Sequence, residues 1–319
     1  MSLRAVAATL VGGACAMIMN IHVTAQQGRG AGAAPPAQTP ATGAPAAGQG
    51  RGQGGGRGTT VQNRPMHVYI RVGLKSHGPG QHDYPQFAAD WSKILTDRGA
   101  IVDGSFHFPT PAELVNTDVI VMYKGDAGYM TPDERTTLAS YLQRGGGLVS
   151  FHDTLCGDDP DFYSTIVGGA KKHGQVNYTL DADIPYTVAD PNHPIMQGVT
   201  DFQIQDEAFY LMTWAKPPYG EIHPLMNAKI AATPSAVQAG HAGEIVPQMW
   251  TYERPYFASI AGQTPFRAFV WMQGHNYSNF AHEKVQPILL RGIAWAAHYP
   301  VDALANVAAA GGGRGRGGQ

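Results

Sequence analysis

Between Pro65 and Leu304 short apolar runs alternate with amphipathic stretches, a pattern that predicts a parallel α/β sheet with crossover helices. The run MHVYIRVGL (66–74) reads as a first strand. It is followed by PQFAADWSKILTDRG (85–99), a helix with Phe87, Trp91, Ile94 and Leu95 on one face. IVDGSF (101–106) is the next strand, and TDVIVMY (117–123) is a near-continuous apolar run of the kind buried on both sides. In TPDERTTLASYLQRGGG (131–147), Thr131 as N-cap, Pro132 at the first helical position, Glu134 closing a capping box and Gly145 after the last turn delimit a helix. GLVSFH (147–152) supplies a further parallel strand. Beyond Asp159 the periodicity weakens into shorter strands (QVNYTL, YTVAD, FQIQDEAFYLM, KIAATP, RAFVWMQ), ahead of a final helix near 282–297 with Val285, Ile288, Leu289, Ile293 and Ala296 on one face. The expectation is an open, mainly parallel sheet with helices on both faces, in one domain (63–305) with an irregular second half and no internal repeat.

Composition changes the picture only at the ends. The 319-residue chain is 43% hydrophobic, but its Gly and Pro residues crowd both termini. Arg4, the apolar run AVAATLVGGACAMIM, and Val23 and Ala25 at the small-residue positions read by signal peptidase fit a secretory signal cleaved after Ala25. The run is shorter than the roughly 20 residues that span a bilayer and is diluted by glycine, which favours a cleaved signal over an anchor. Residues 26–62 carry almost no large apolar side chain and no acid, so they read as a flexible tether, and residues 306–319 have the same character. A periplasmic or secreted protein without stable membrane insertion follows as the expectation. Net charge of −2 and the lack of aromatics among the terminal arginines argue against nucleic-acid binding. Loss of the signal removes Cys15 and leaves Cys156 alone, so no intramolecular disulfide is expected.

Candidate chemistry falls where strands end, the edge at which open parallel sheets bind ligands. The first strand is followed by His77, His82 and Asp83, the third ends at Tyr123 with Lys124 and Asp126 next, and the fourth leads into His152 and Asp153. Later segments add Lys171, His173, Asp206, Glu207 and His275. Each has a plainer alternative. His82-Asp83 fits the start of a helix, His152 a hydrogen-bonded core histidine, Lys171 and His173 a solvated turn, and His193 a proline-punctuated turn. Phe209, Trp250 and Trp271 are more at home in a core than as sugar platforms. Adjacent strand residues point to opposite faces, so Asp206 and Glu207 do not form one carboxylate pair. Glu207 is assigned to the pocket and Asp206 to a structural partner. Cys156 lacks the flanking glycines of a nucleophile elbow, and no histidine has a glutamate two positions later to partner a thiol. His152, at the strand end, is the residue presented there.

The segments GQHDYP, YLQRGGGLVSFHDT, VGGAKKHG, DPNHPIMQGV, QDEAFY, PQMWTYE, VWMQGHNY and RGIAWAAH, in that order, resemble the ThuA-like (trehalose utilisation) family. The resemblance implies a class I glutamine amidotransferase-like, flavodoxin-like fold that has lost the catalytic cysteine. It also implies a carbohydrate-linked role and site residues at His82, His152, His173, Glu207 and His275. The resulting expectation is an enzyme acting on a sugar, disaccharide or 3-keto-glycoside by acid/base catalysis from His152 with Glu207 or His82. Asp83, Tyr123, Lys124, Asp153, Lys171, His173, Asp206 and His275 are the expected substrate contacts. The partner expected is a small carbohydrate. Two alternatives stand beside this: a secreted sugar-binding module, and a metalloenzyme drawing on His82, His152, His275 and Glu207. No cofactor is otherwise expected.

Overall fold

A computed structural model describes residues 64–174, 178–257 and 262–305. The expected signal, tether and glycine-rich tail lie outside the described residues. Among those residues no helix is long and apolar enough to cross a membrane.

Four strands open the domain: β1 His67–Val72, β2 Ile101–Ser105, β3 Val119–Tyr123 and β4 Gly147–Phe151. All pair in parallel, and β12 Phe266–Trp271 joins β4 in the same sense. β3 and β4 are buried at every position, which explains their unbroken apolar sequences. α1 Tyr84–Thr96 turns Tyr84, Phe87, Trp91 and Leu95 into the core. α3 Pro132–Gln143 begins with both arms of its capping box closed, Glu134 N donating to Thr131 Oγ1 and Thr131 N to Glu134 Oε2.

The second half continues the sheet antiparallel. β7 Tyr178–Val188, β8 Phe202–Phe209, β10 His223–Lys229 and β11 Ile245–Arg254 complete nine strands in the order β2-β1-β3-β4-β12-β11-β10-β7-β8. Two local readings change here. YTL and YTVAD belong to one strand, β7, whose Ala182, Ile184 and Tyr186 point inward. Pro185 inside it sits one residue beyond the pairing with β10, so its missing N–H costs no bond to that strand. KIAATP is not a strand of its own: Lys229 ends β10, and Thr233 accepts from Ala236 N to cap the short helix α5 Pro234–Ala239.

A small second sheet joins β5 Cys156–Gly157, β6 Gly169–Lys172 and β9 Thr213–Trp214. Its register places Cys156 opposite Lys171. Between β5 and β6 runs α4 Pro160–Val167, capped by Asp159 and stopped by Gly168 at φ 83°. The remaining helices are the single turn α2 Pro111–Leu114 and the closing α6 Val285–Ala296, whose Val285, Ile288, Leu289, Ile293 and Ala296 are buried.

Candidate metal centre

The ends of β1, β4 and β12 and the inner end of β8 converge on one point. Of six non-glycine residues with positive φ among the described residues, four (His77, His82, Asp126 and His152) lie in the loops around it. Left-handed backbone costs an ordinary residue on the order of 1 kcal/mol or more and persists where surrounding structure enforces it, commonly at functional sites. Here it aims imidazoles: His152 at φ 54° turns off β4 into a 3-10 turn, and His82 at φ 44° is tied by its N–H to the carbonyl of His275 at 3.0 Å.

Four side-chain atoms then meet in a ring. His82 Nε2 is 2.9 Å from His152 Nε2 and 2.9 Å from His275 Nδ1. Glu207 Oε2 closes the ring at 3.3 Å from His152 Nε2 and 3.1 Å from His275 Nδ1. All four side chains are buried. Each ring atom carries at most one proton, and a proton is useful only between a bearer and a bare neighbour. Linear hydrogen bonds therefore satisfy at most two of the four contacts. The outward-facing nitrogens of His152 and His82 are already engaged. His152 Nδ1 donates to the Met272 carbonyl at 3.1 Å, and His82 Nδ1 meets the Tyr84 hydroxyl at 3.0 Å and Ser76 Oγ at 3.2 Å. A ring N–H held by a backbone carbonyl, with the other nitrogen bare and facing a shared centre, is how metal-binding histidines are oriented.

With protons alone in the cluster, charge divides unevenly. Burial, reinforced by His152, drives His82 down to about 3. Burial also opposes charge on His152, but the Asp153 and Glu207 carboxylates outweigh it and push that imidazole up to about 9. Burial would raise Glu207, yet hydrogen bonds from His152 and His275 hold it well below the usual carboxylate range.

His82, Glu207 and His275 line a cavity of about 300 Å³, together with Asp153, Lys171 and His173. The other expected site residues lie farther back. His152 is fully buried behind the residues that line the cavity. Asp206 is equally buried: Oδ1 accepts from the N–H groups of Glu207 and His275, and Oδ2 from those of Gly274 and Asn276 and from Asn279 Nδ2. Its carboxylate is consumed in holding the loop that carries His275. Tyr123 is buried and donates to the Gly274 carbonyl, while Lys124 Nζ donates to the carbonyls of Gly125 and Asp126. Asp83 stands at the start of α1 without a side-chain capping bond. None of these three lines the cavity.

Phe209 stacks on His152, with ring centroids 5.1 Å apart, while Trp250 and Trp271 are core residues. His193 accepts from Ile195 N in its own turn. Sequence reasoning missed Tyr84, Met272 and Tyr178; a tyrosine two residues after a histidine and a methionine carbonyl carry no sequence signal.

Asp126, Cys156 and His173 form a second group of donor atoms within 4.8 Å of one another. Its members are satisfied without an ion: His173 Nδ1 pairs with Asp126 at 2.7 Å, and Cys156 Sγ donates to Asp153 Oδ1 at 3.2 Å. Burial and the Asp153 charge push the Cys156 thiol well above its ordinary range, which disfavours its thiolate.

Fold and site together define a class: an open-sheet α/β domain, parallel in its first half, in which the strand-end position holds a histidine of a His/Glu cluster. The family described as trehalose utilisation, ThuA, matches residues 75–296, and the chain belongs to it. That membership supports a carbohydrate-related role. Among solved structures, the chain is similar to a ThuA-like protein of Bacteroides uniformis at 18% identity and TM-score 0.54, covering 76% of this chain and 95% of that one. A ThuA-like protein of Parabacteroides merdae is similar at 17% identity and TM-score 0.53, covering 73% and 90%. No curated protein matches the sequence.

Proposed function

We propose that this protein is a metal-dependent enzyme acting on a sugar or oxidised sugar, with one divalent cation held by His82 Nε2, His152 Nε2, His275 Nδ1 and Glu207 Oε2. The observation that carries the reading is the ring of four contacts, of which protons satisfy at most two and a single cation satisfies all. The 2.9–3.3 Å separations suit ligands gathered around one ion, since tetrahedral bonds of about 2.1 Å put neighbouring donors roughly 3.4 Å apart. Three imidazoles and one carboxylate fit zinc, or iron, cobalt or manganese, better than magnesium or calcium.

The cation would supply Lewis-acid polarisation of a sugar carbonyl or activation of water. This chain's residues orient and surround it. Met272 and Tyr84 fix the ring planes, Phe209 packs against His152, and Asp206 anchors the His275 loop. The imidazoles are then ligands, and proton transfer passes to groups on the cavity wall. Polarising a carbonyl makes isomerisation, elimination or glycoside cleavage of a keto-sugar accessible; the carbohydrate class is supported by family membership. The leader pattern supports export to the periplasm or beyond.

The test is metal analysis of protein purified without chelators, combined with incubation with disaccharides and their 3-keto forms and product analysis. About one tightly held ion per chain and turnover lost on chelation are expected. Protein that neither carries nor takes up an ion, and is unshifted in Tm by zinc, manganese, cobalt or iron(II), would sink the metal reading. Tight sugar binding without conversion would make this a binding module.

A further inference from the structure

Lys171 lies in β6 and is 5% exposed, on the wall of the cavity that His82, Glu207 and His275 also line. A buried ammonium is costly unless both its charge and its three N–H donors are met. The charge is met. Asp153 Oδ1 is 3.6 Å from Nζ, the Phe209 ring centre is 3.4 Å away, and the Tyr178 ring centre is 5.3 Å away. The donors are not. At 3.6 Å Asp153 forms an ion pair without a hydrogen bond, and among the described residues no oxygen or nitrogen accepts from Nζ. Aromatic faces soften the charge but leave the directional demand unfilled. Lys171 therefore offers a donor to an oxygen acceptor in the cavity whose wall it forms.

We propose that Lys171 is the anchor for a substrate oxyanion, donating to a sugar oxygen that carries negative charge or acquires it during reaction. The inference deepens the metal-dependent reading and rests on it. Two sources share this chemistry. One is the carboxylate of a sugar acid, charged from the outset. The other is the oxygen of a keto-sugar during enolisation. There the proton on the carbon beside the carbonyl passes to the Asp153 carboxylate, the C–H electron pair becomes the carbon–carbon double bond, and the carbonyl π pair moves onto the oxygen that Lys171 meets. The step needs no oxidant or reductant.

The experiment compares metal-analysed wild type with Lys171→Met and Lys171→Arg. D-glucuronate and D-glucose binding are measured by calorimetry, and proton exchange of methyl 3-keto-α-D-glucoside in D2O is followed by NMR. The Met variant should keep the wild-type metal content. If the charge is resident, it loses about tenfold or more in glucuronate affinity and the preference over glucose. If the charge develops during reaction, its exchange kcat falls about 10² to 10³-fold with KM little changed. The Arg variant should recover part of whichever effect is seen. If the Met variant does not fold, Lys171→Gln is read in its place by the same criteria. A metal-loaded variant with wild-type values in both assays overturns the proposal. So does a metal-loaded wild type that neither prefers glucuronate nor exchanges the keto-glycoside. A wild type that takes up no metal overturns the preceding reading instead.

Discussion

Asp206 Oδ1 accepts the backbone N–H of His275 at 3.0 Å, so the residue adjacent to one cluster side chain anchors the loop that delivers another. With five N–H groups converging on its two oxygens, this carboxylate tolerates no amide. Whichever way an asparagine were turned, its NH2 group would face at least two donors. Asp206→Asn should therefore cost about 3 kcal/mol in denaturant unfolding and weaken whatever the cluster binds. A variant with wild-type stability would show that the loop is held by other means.

Glu207 calls for the opposite outcome. Its Oε2 touches two imidazole nitrogens, and the side chain reaches the cavity. Glu207→Gln should stay folded, with Tm within a few degrees of metal-free wild type, yet hold far less metal in equilibrium dialysis. Full metal content in that variant would remove Glu207 from the ligand set.

Tyr84 tests the shell behind the ligands. Its hydroxyl meets His82 Nδ1 at 3.0 Å and fixes the imidazole that touches both other histidines. Tyr84→Phe removes this contact while leaving the ring to pack in the core, and metal affinity should fall about 10 to 100-fold, read by competition with a chromogenic chelator. Unchanged affinity would mean that Ser76 alone orients His82.

Cys156 should be silent. It is fully buried, with a thiol pushed above its ordinary range and donating to Asp153. Iodoacetamide should leave the folded protein unmodified by mass spectrometry at neutral pH, and Cys156→Ser, which keeps the donor, should retain nearly full turnover. Rapid alkylation with loss of activity would restore a thiol mechanism.

Local pattern alone determined the parallel half of this protein. Unbroken apolar runs mark β3 and β4, and capping residues mark α3, because burial on both sides and orphan N–H groups leave their imprint within a few positions. The same logic placed histidines at strand ends and separated Asp206 from Glu207, since strand side chains alternate. What the pattern could not carry is which strand ends meet. His82 lies 70 residues from His152 and 193 from His275, and they touch because β12 returns to pair with β4 at the centre of the sheet. Nor could it show that Tyr123 and Lys124 spend their polar atoms on backbone carbonyls while Lys171, among the described residues, donates to no oxygen or nitrogen beside the cavity. Periodicity records the face on which a residue lies. Whether its polar atoms are satisfied depends on neighbours distant in sequence, and only the tertiary fold supplies them.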